Sequence, residues 1–307
     1  MDERTLARAR KILSDPVRLH AYQAALEQVC AGSVVCEIGV GVGALSLLAL
    51  RLGAARVYGI DSDADKLLLA SQVISHNGFG ADRFIPVRGR STRVELPERV
   101  DVVIADVLEK AARRRNVFSE LADARRRFAA PDAAFIPSKI ELRVALSRPG
   151  AFRAESEFWD AELFCRFEMD FGAVVPALRD RMHMLELAPE DVVSYWAALR
   201  RIEFAHPDSE RASDPVVLEV RKPGRVEGVC IAYDAELIEG VRIGNLPAEP
   251  VTGPEQGFQP FSRPLVCGEG DLVAIDVAHE ARELDLASRV RLVPAPSAAA
   301  FLANLEG

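Results

Sequence analysis

The chain has 307 residues, with 38 Lys+Arg against 46 Asp+Glu, a formal net charge of −8. That length suits about two domains, each burying its own core; 49% hydrophobic and 27% charged residues exclude a wholly disordered, collagen-like or coiled-coil chain. Phosphates repel an acidic chain at long range, so broad nucleic-acid binding is not expected.

Cys30, Cys36, Cys165, Cys230 and Cys267 are scattered and form no C-x-x-C pair. This argues against a disulfide scaffold or structural zinc and for a reducing cytoplasm. The start, Met1-Asp2-Glu3-Arg4, runs into mixed charge rather than an apolar signal core. The uncharged run from Ile38 to Leu50 is interrupted by glycine at 39, 41 and 43, and a bilayer needs about 20 apolar residues. No membrane segment is expected.

Residues 4–29 read as helix, interrupted at Asp15-Pro16. The apolar strand 33–38 ends in Gly39-Val40-Gly41-Val42-Gly43, and a helix follows over 44–52. Strand 56–60 ends at Asp61-Ser62-Asp63, which also caps a helix over 64–76. Further strands are expected at 84–87 and 100–105. Strands alternating with helices predict a parallel, doubly wound sheet. Beyond about residue 134 the segments 140–146, 216–220, 228–232, 241–243 and 271–278 are short and β-rich, with a Pro/Gly-rich turn region at 245–264. This half predicts an antiparallel domain with one inserted helix at 189–201, and the alanine-rich segment 294–305 reads as a terminal helix. The division is therefore 1–134 and 135–307.

The glycine loop is the first chemical signal. Gly39, Gly41 and Gly43 join a strand to a helix, where glycine permits positive φ and close approach of a ligand. With Ala44 the run also reads as G-x-G-x-x-A, a dinucleotide fingerprint and the basis of an NAD(P)-dependent alternative. Asp61 sits where either cofactor class presents its ribose hydroxyls. Glu37, two residues before the first glycine, suits the amino group of S-adenosylmethionine and would repel a diphosphate. The five histidines show no H-x-H or H-E-x-x-H spacing, so no metal site is expected. His20 and Tyr22 lie on the N-terminal helix and read as packing residues or cofactor wall.

These residues resemble the protein arginine methyltransferases, class I S-adenosylmethionine-dependent enzymes, nearly end to end. Segment 12–18 is similar to the family's N-terminal helix, which places Arg18 on the arginine that grips the cofactor carboxylate. Segments 34–49 and 53–61 resemble its cofactor motifs, 90–106 the strand leading to its substrate loop, and 130–138 the junction into its β-barrel. Segments 167–170 and 229–233 resemble segments of its barrel. The resemblance implies a Rossmann-like domain followed by an antiparallel β-barrel, with transfer of a methyl group to a guanidine or amine nitrogen. The acceptor, whether protein, peptide or small molecule, stays open. A homodimer is also implied, through an insertion expected at about 171–200.

The likeness breaks at the acceptor. The family's two guanidinium-binding glutamates fall on Asp106 and Arg115, with Glu109 and Glu120 as nearby substitutes. Its adenine-facing acid falls near Thr92, beside Ser91, and its barrel histidine is lost in Gly257-Phe258. Between Lys110 and Arg127 stand seven basic and two acidic residues. Such a run reads as a solvated helix face or as a clamp for an anionic acceptor, with Arg115 as its substrate contact. A cofactor-binding scaffold without turnover is the non-enzymatic alternative.

Overall fold

The computed structural model describes residues 3–106, 116–204, 206–212, 216–247, 255–276 and 289–293. Two helices, α1 (Glu3–Leu13) and α2 (Pro16–Glu27), open the chain. The break between them is chemical: Asp15 caps α2 by accepting from the Arg18 amide at 3.0 Å, and Pro16 occupies the first helical turn.

Then come β1 (Val34–Ile38), α3 (Ala44–Arg51), β2 (Arg56–Asp61), α4 (Ala64–His76), β3 (Phe84–Arg88), β4 (Val100–Ile104), α5 (Asn116–Arg127) and β5 (Ala129–Ile136). The five strands pair in parallel in the order β3-β2-β1-β4-β5. Strand order reverses at β1, which lies between β2 and β4 with Glu37 beside both Gly59 and Ile104. In open α/β sheets the crevice at the carboxyl ends beside such a switch point is where ligands bind. The core here is Val35, Cys36, Val57, Tyr58, Ile60, Val102, Val103 and Ile104, all nearly inaccessible, packed under Leu26, Ala49, Leu50, Ala70 and Ile74 of the helices.

The sheets change over between Ile136 and Lys139. The second half contains β6 (Lys139–Ser147), α6 (Gly150–Glu157), a π-helical turn (Phe158–Glu162), α7 (Leu163–Phe167), α8 (Val174–Arg179), β7 (His183–Glu186), β8 (Ala197–Glu203), β9 (His206–Ala212), β10 (Val216–Glu219), β11 (Gly224–Ile238), β12 (Val241–Gly244), β13 (Glu255–Cys267), β14 (Leu272–Asp276) and β15 (Arg289–Val293). An antiparallel sheet runs β7-β13-β11-β6-β8-β9, with β12 paired to β11, and β10-β14-β15 form a smaller sheet. Among the described residues these strands form open sheets rather than a closed barrel. The antiparallel character follows the sequence expectation.

Three expectations need correction. Residues 189–201 are not a helix: a short 3-10 turn at Pro189–Asp191 leads into β8, which pairs with β6. Leu199 and Ile202 are buried three residues apart, a helix-like spacing produced by the register shift opposite Leu142 and Arg143. The helices that interrupt the sheet between β6 and β7 are α6 to α8, within residues 150–179, only partly overlapping the insertion expected at about 171–200, and 167–170 lie at the end of α7. The Pro/Gly-rich region at 245–264 contains most of β13, whose pairing with β11 shifts register between the partners of Val226 and Gly228. Gly228 is required there, since a Cβ would stand 2.2 Å from the Gln259 carbonyl oxygen. The expected helix at 294–305 lies outside the described residues. No helix among them is long and apolar enough to cross a membrane.

Candidate functional site

A cavity of about 490 Å³ opens at the carboxyl ends of β1, β2 and β4. Of the expected site residues, Arg18, Glu37, Gly39, Gly41, Asp61, Ser91, Asp106 and Glu120 all line it. They come from six separate segments, so the fold assembles what the sequence spaces over about a hundred residues. Gly43 and Thr92 are not among the lining residues. Gly43 has φ +83° and caps α3, and a Cβ on it would meet Cβ of Ala70 at 3.0 Å, so its glycine is explained by the packing of α3 on α4. Thr92 is exposed on a 3-10 turn, Ser91–Arg93, while its neighbour Ser91 is buried. Glu109 and Arg115 lie outside the described residues.

The glycine loop is built for contact with its backbone. Gly39 and Gly41 have φ of +82° and +55°, and a Cβ on either would meet nothing nearer than 3.9 Å. Asp61 holds the loop from β2, accepting the Gly41 amide at 3.3 Å and the Asp63 amide at 3.0 Å. Glu37 is buried on β1 and accepts a hydrogen bond from the Ser46 hydroxyl of α3. Burial is the largest influence on it; with Asp106 and Asp61 nearby, that outweighs the help from Ser46, and its pKa is pushed up to about 8.

At the other side of the cavity Arg18 pairs with Asp106, and the Tyr22 hydroxyl donates to the same carboxylate oxygen at 3.1 Å. Arg18 and Tyr22 stand one turn apart on one face of α2. Burial is the largest influence and works against the guanidinium charge, but Asp106, Tyr22 and Tyr233 together more than offset it and raise the Arg18 pKa above its ordinary value. Burial, with the same carboxylate, also pushes the Tyr22 hydroxyl well above its ordinary pKa, so Tyr22 is a neutral donor. The Arg18 Nε is buried without a hydrogen-bond partner. Helix α1 contributes Ala9, Ile12 and Leu13 to the cavity wall, and its Lys11 pairs with Glu255 of β13 at 2.7 Å.

Sequence reasoning missed Arg127 as part of this architecture. Its guanidinium grips Asp123 one turn back, donates to the Val94 carbonyl at 2.6 Å and also to the Ser91 carbonyl. Arg125 donates to the Ala130 and Pro131 carbonyls, the first at 3.0 Å. Both arginines are thus engaged within the chain, as a helix face with internal pairs would be. The signal that could have found the clamp is the i,i+4 Asp123–Arg127 pair. Among the described residues no cluster of His, Cys, Asp or Glu could hold a metal.

Residues 19–142, which carry most of this crevice, match the family model of the ribosomal protein L11 methyltransferase (PrmA). The whole fold is similar to the Trypanosoma brucei PRMT1 enzyme–prozyme heterotetrameric complex with AdoHcy, with a TM-score of 0.75, 18% identity, and 93% and 95% of the two chains covered. Among curated relatives, a probable protein arginine N-methyltransferase 6 of Arabidopsis thaliana is 31% identical over 153 residues, 48% of this chain and 35% of the relative. The arginine N(omega)-methyltransferase of Streptomyces achromogenes subsp. streptozoticus is 24% identical over 270 residues, 86% of this chain and 73% of that protein. In sequence and in fold the chain is thus similar to arginine methyltransferases. It spans 35% and 56% of the lengths of the first two curated relatives it matches.

Proposed function

We propose that the chain is an S-adenosylmethionine-dependent methyltransferase acting on a guanidine or amine nitrogen. The observation that carries this reading is the convergence of Arg18, Glu37 and Asp61 around a glycine loop with nothing standing over Gly39 or Gly41. The residues fit the methyl donor. The unpartnered Arg18 Nε is a donor for its carboxylate, while Glu37 accepts from its ammonium group and Asp61 from its ribose diol. Ser91 lies at the purine end, with Gly43 and Thr92 acting through the backbone they shape. When bound, the donor supplies a methyl group on a sulfonium, and the chain's own part is to position and desolvate the acceptor.

Asp106 is the residue to orient that acceptor. Arg18 and Tyr22 hold one of its oxygens, and the other has no partner among the described residues, free to accept an N–H from the incoming nitrogen. A guanidine is favoured over an anionic acceptor because Arg125 and Arg127 are engaged by carbonyls and Asp123 rather than turned to a ligand. The relative named for arginine rather than for protein arginine supports including the free amino acid among acceptors. Labelled methyl donor with arginine, an arginine-rich peptide and a lysate distinguishes these acceptors. No transfer to any of them, with donor binding intact, would leave a cofactor-binding scaffold. Calorimetry with S-adenosylhomocysteine and with NAD(P)H tests the donor itself; binding only the nicotinamide compound defeats the reading.

We further infer a two-fold homodimer and a cytoplasmic setting. Phe164, Phe167 and Met169 of the 150–179 arm are 56%, 62% and 44% exposed, an apolar surface that a second copy of the chain would cover in a two-fold dimer. Five unpaired cysteines support a reducing, cytoplasmic setting.

A further inference from the structure

Glu120 lines the same cavity from α5, and its place on the helix decides what it faces. Arg127 stands seven residues further on, close to two full turns, so the two side chains leave the same face about 10 Å apart along the axis. Asp123, between them, shares that face and grips Arg127. The face is fixed against the 3-10 turn, because Arg127 donates to the carbonyls of Ser91 and Val94 at either end of it, and α5 packs on that turn. Ser91 is buried and lines the cavity beside Gly89 and Arg90, next to Asp61 at the end of β2. The Gly89 amide donates to the Asp61 carbonyl at 3.0 Å. The stripe of α5 that carries Glu120 is therefore turned to the part of the cavity beyond the diol-binding aspartate. The Arg18–Asp106 pair lies at the other side.

A carboxylate is a hydrogen-bond acceptor only, and no described residue pairs with Glu120. An exocyclic amine is the donor it can accept from. A 6-oxo group in the same place would set acceptor against acceptor, and a buried mismatch of that kind discriminates strongly.

We propose that Glu120 reads the 6-amino group of the donor's purine, so that the acid recognising the base is carried by α5 and held in place by the Arg127 clamp. The proposal rests on the methyl-donor reading above. It takes Glu120 away from the acceptor, where it would replace a missing second glutamate. It also accounts for Thr92, which offers no carboxylate and lies outside the cavity lining.

The test uses the whole chain and two ligands, S-adenosylhomocysteine and its 6-oxo analogue S-inosylhomocysteine, with affinities measured by calorimetry. The native chain should prefer the amino ligand by more than about ten-fold, as a charge-assisted contact replaced by a repulsive one requires. Glu120→Gln should weaken the amino ligand about ten-fold while binding the 6-oxo ligand as well as the native chain or better, because the amide can donate to the oxygen. Retention of the 6-oxo ligand also shows that the variant is folded. If Glu120→Gln keeps the native preference, or loses both ligands alike, the assignment fails. Native affinities with turnover lost on the acceptor would return Glu120 to the acceptor and equally overturn it. Absence of S-adenosylhomocysteine binding by the native chain would defeat the donor reading and this inference together, a result distinct from the others.

Discussion

Affinity for S-adenosylhomocysteine should rise as the pH is raised through neutrality, because Glu37 must give up a proton to receive the ligand's ammonium group. In the ligand-free site burial holds its pKa at about 8, so about 1% of the chains carry the carboxylate at pH 6 and about a quarter at pH 7.5. If the bound state requires the anion, affinity increases about twenty-fold over that interval. Binding at pH 7 then releases about 0.9 proton per ligand. Calorimetry at pH 7 in two buffers of different ionisation enthalpy measures the released proton directly, and titrations at pH 6, 6.5, 7 and 7.5 measure the slope. Glu37→Gln should bind more weakly and lose the slope, since its amide neither titrates nor attracts the ammonium. An affinity flat from pH 6 to 7.5, with no proton released, would refute the reasoning: Glu37 would then be ionised before binding or uninvolved.

The same group should leave a mark on stability. Its folded pKa lies above its unfolded value, so the stabilising difference is complete below the unfolded pKa and falls as pH rises toward 8. Urea unfolding of the native chain relative to Glu37→Gln should lose about 1 kcal/mol per pH unit in that window; a constant difference would contradict it. Replacing Arg18 with Met leaves Asp106 half-buried without its cation and should cost about 3–5 kcal/mol by the same measurement. Gly41→Val forces a β-branched residue to φ +55° beside the ligand's path and should abolish S-adenosylhomocysteine binding with less than a few degrees lost in Tm; near-native affinity would mean the loop is only a turn. Light scattering at micromolar concentration should give twice the chain mass, and a monomer would leave the exposed arm aromatics unexplained.

The parallel half was legible because its signals are local. A short apolar strand, a glycine turn and an acid at the next strand end follow one another within thirty residues, and pairing at β1 brings Glu37, Asp61 and Asp106 to one crevice. The second half was harder to read because its strands are irregular. A bulge gives Leu199 and Ile202 helical spacing, and Pro260 stands where β13 breaks register with β11. The insertion was expected further along the sequence because residues 158–167 carry Phe158, Phe164 and Phe167, which the chain leaves exposed, so burial periodicity says nothing about them. The partnership of Arg127 with Ser91 and Val94 could not be foreseen either: it depends on where α5 lies against a turn more than thirty residues earlier.

Helix α1 has a consequence for how the site comes together. It supplies Ile12 and Leu13 to the cavity, and among the described residues its ion pair with the antiparallel half is Lys11 with Glu255, about half exposed on both sides. A pair of that kind holds about 0–1 kcal/mol, little against the freedom an eleven-residue helix gains on release. Whatever fills the cavity packs against α1 and adds its own binding free energy to the helix's attachment. The ligand is in that sense a structural member of the N-terminus, and amide hydrogen exchange along α1 would record occupancy of a pocket whose polar machinery lies elsewhere.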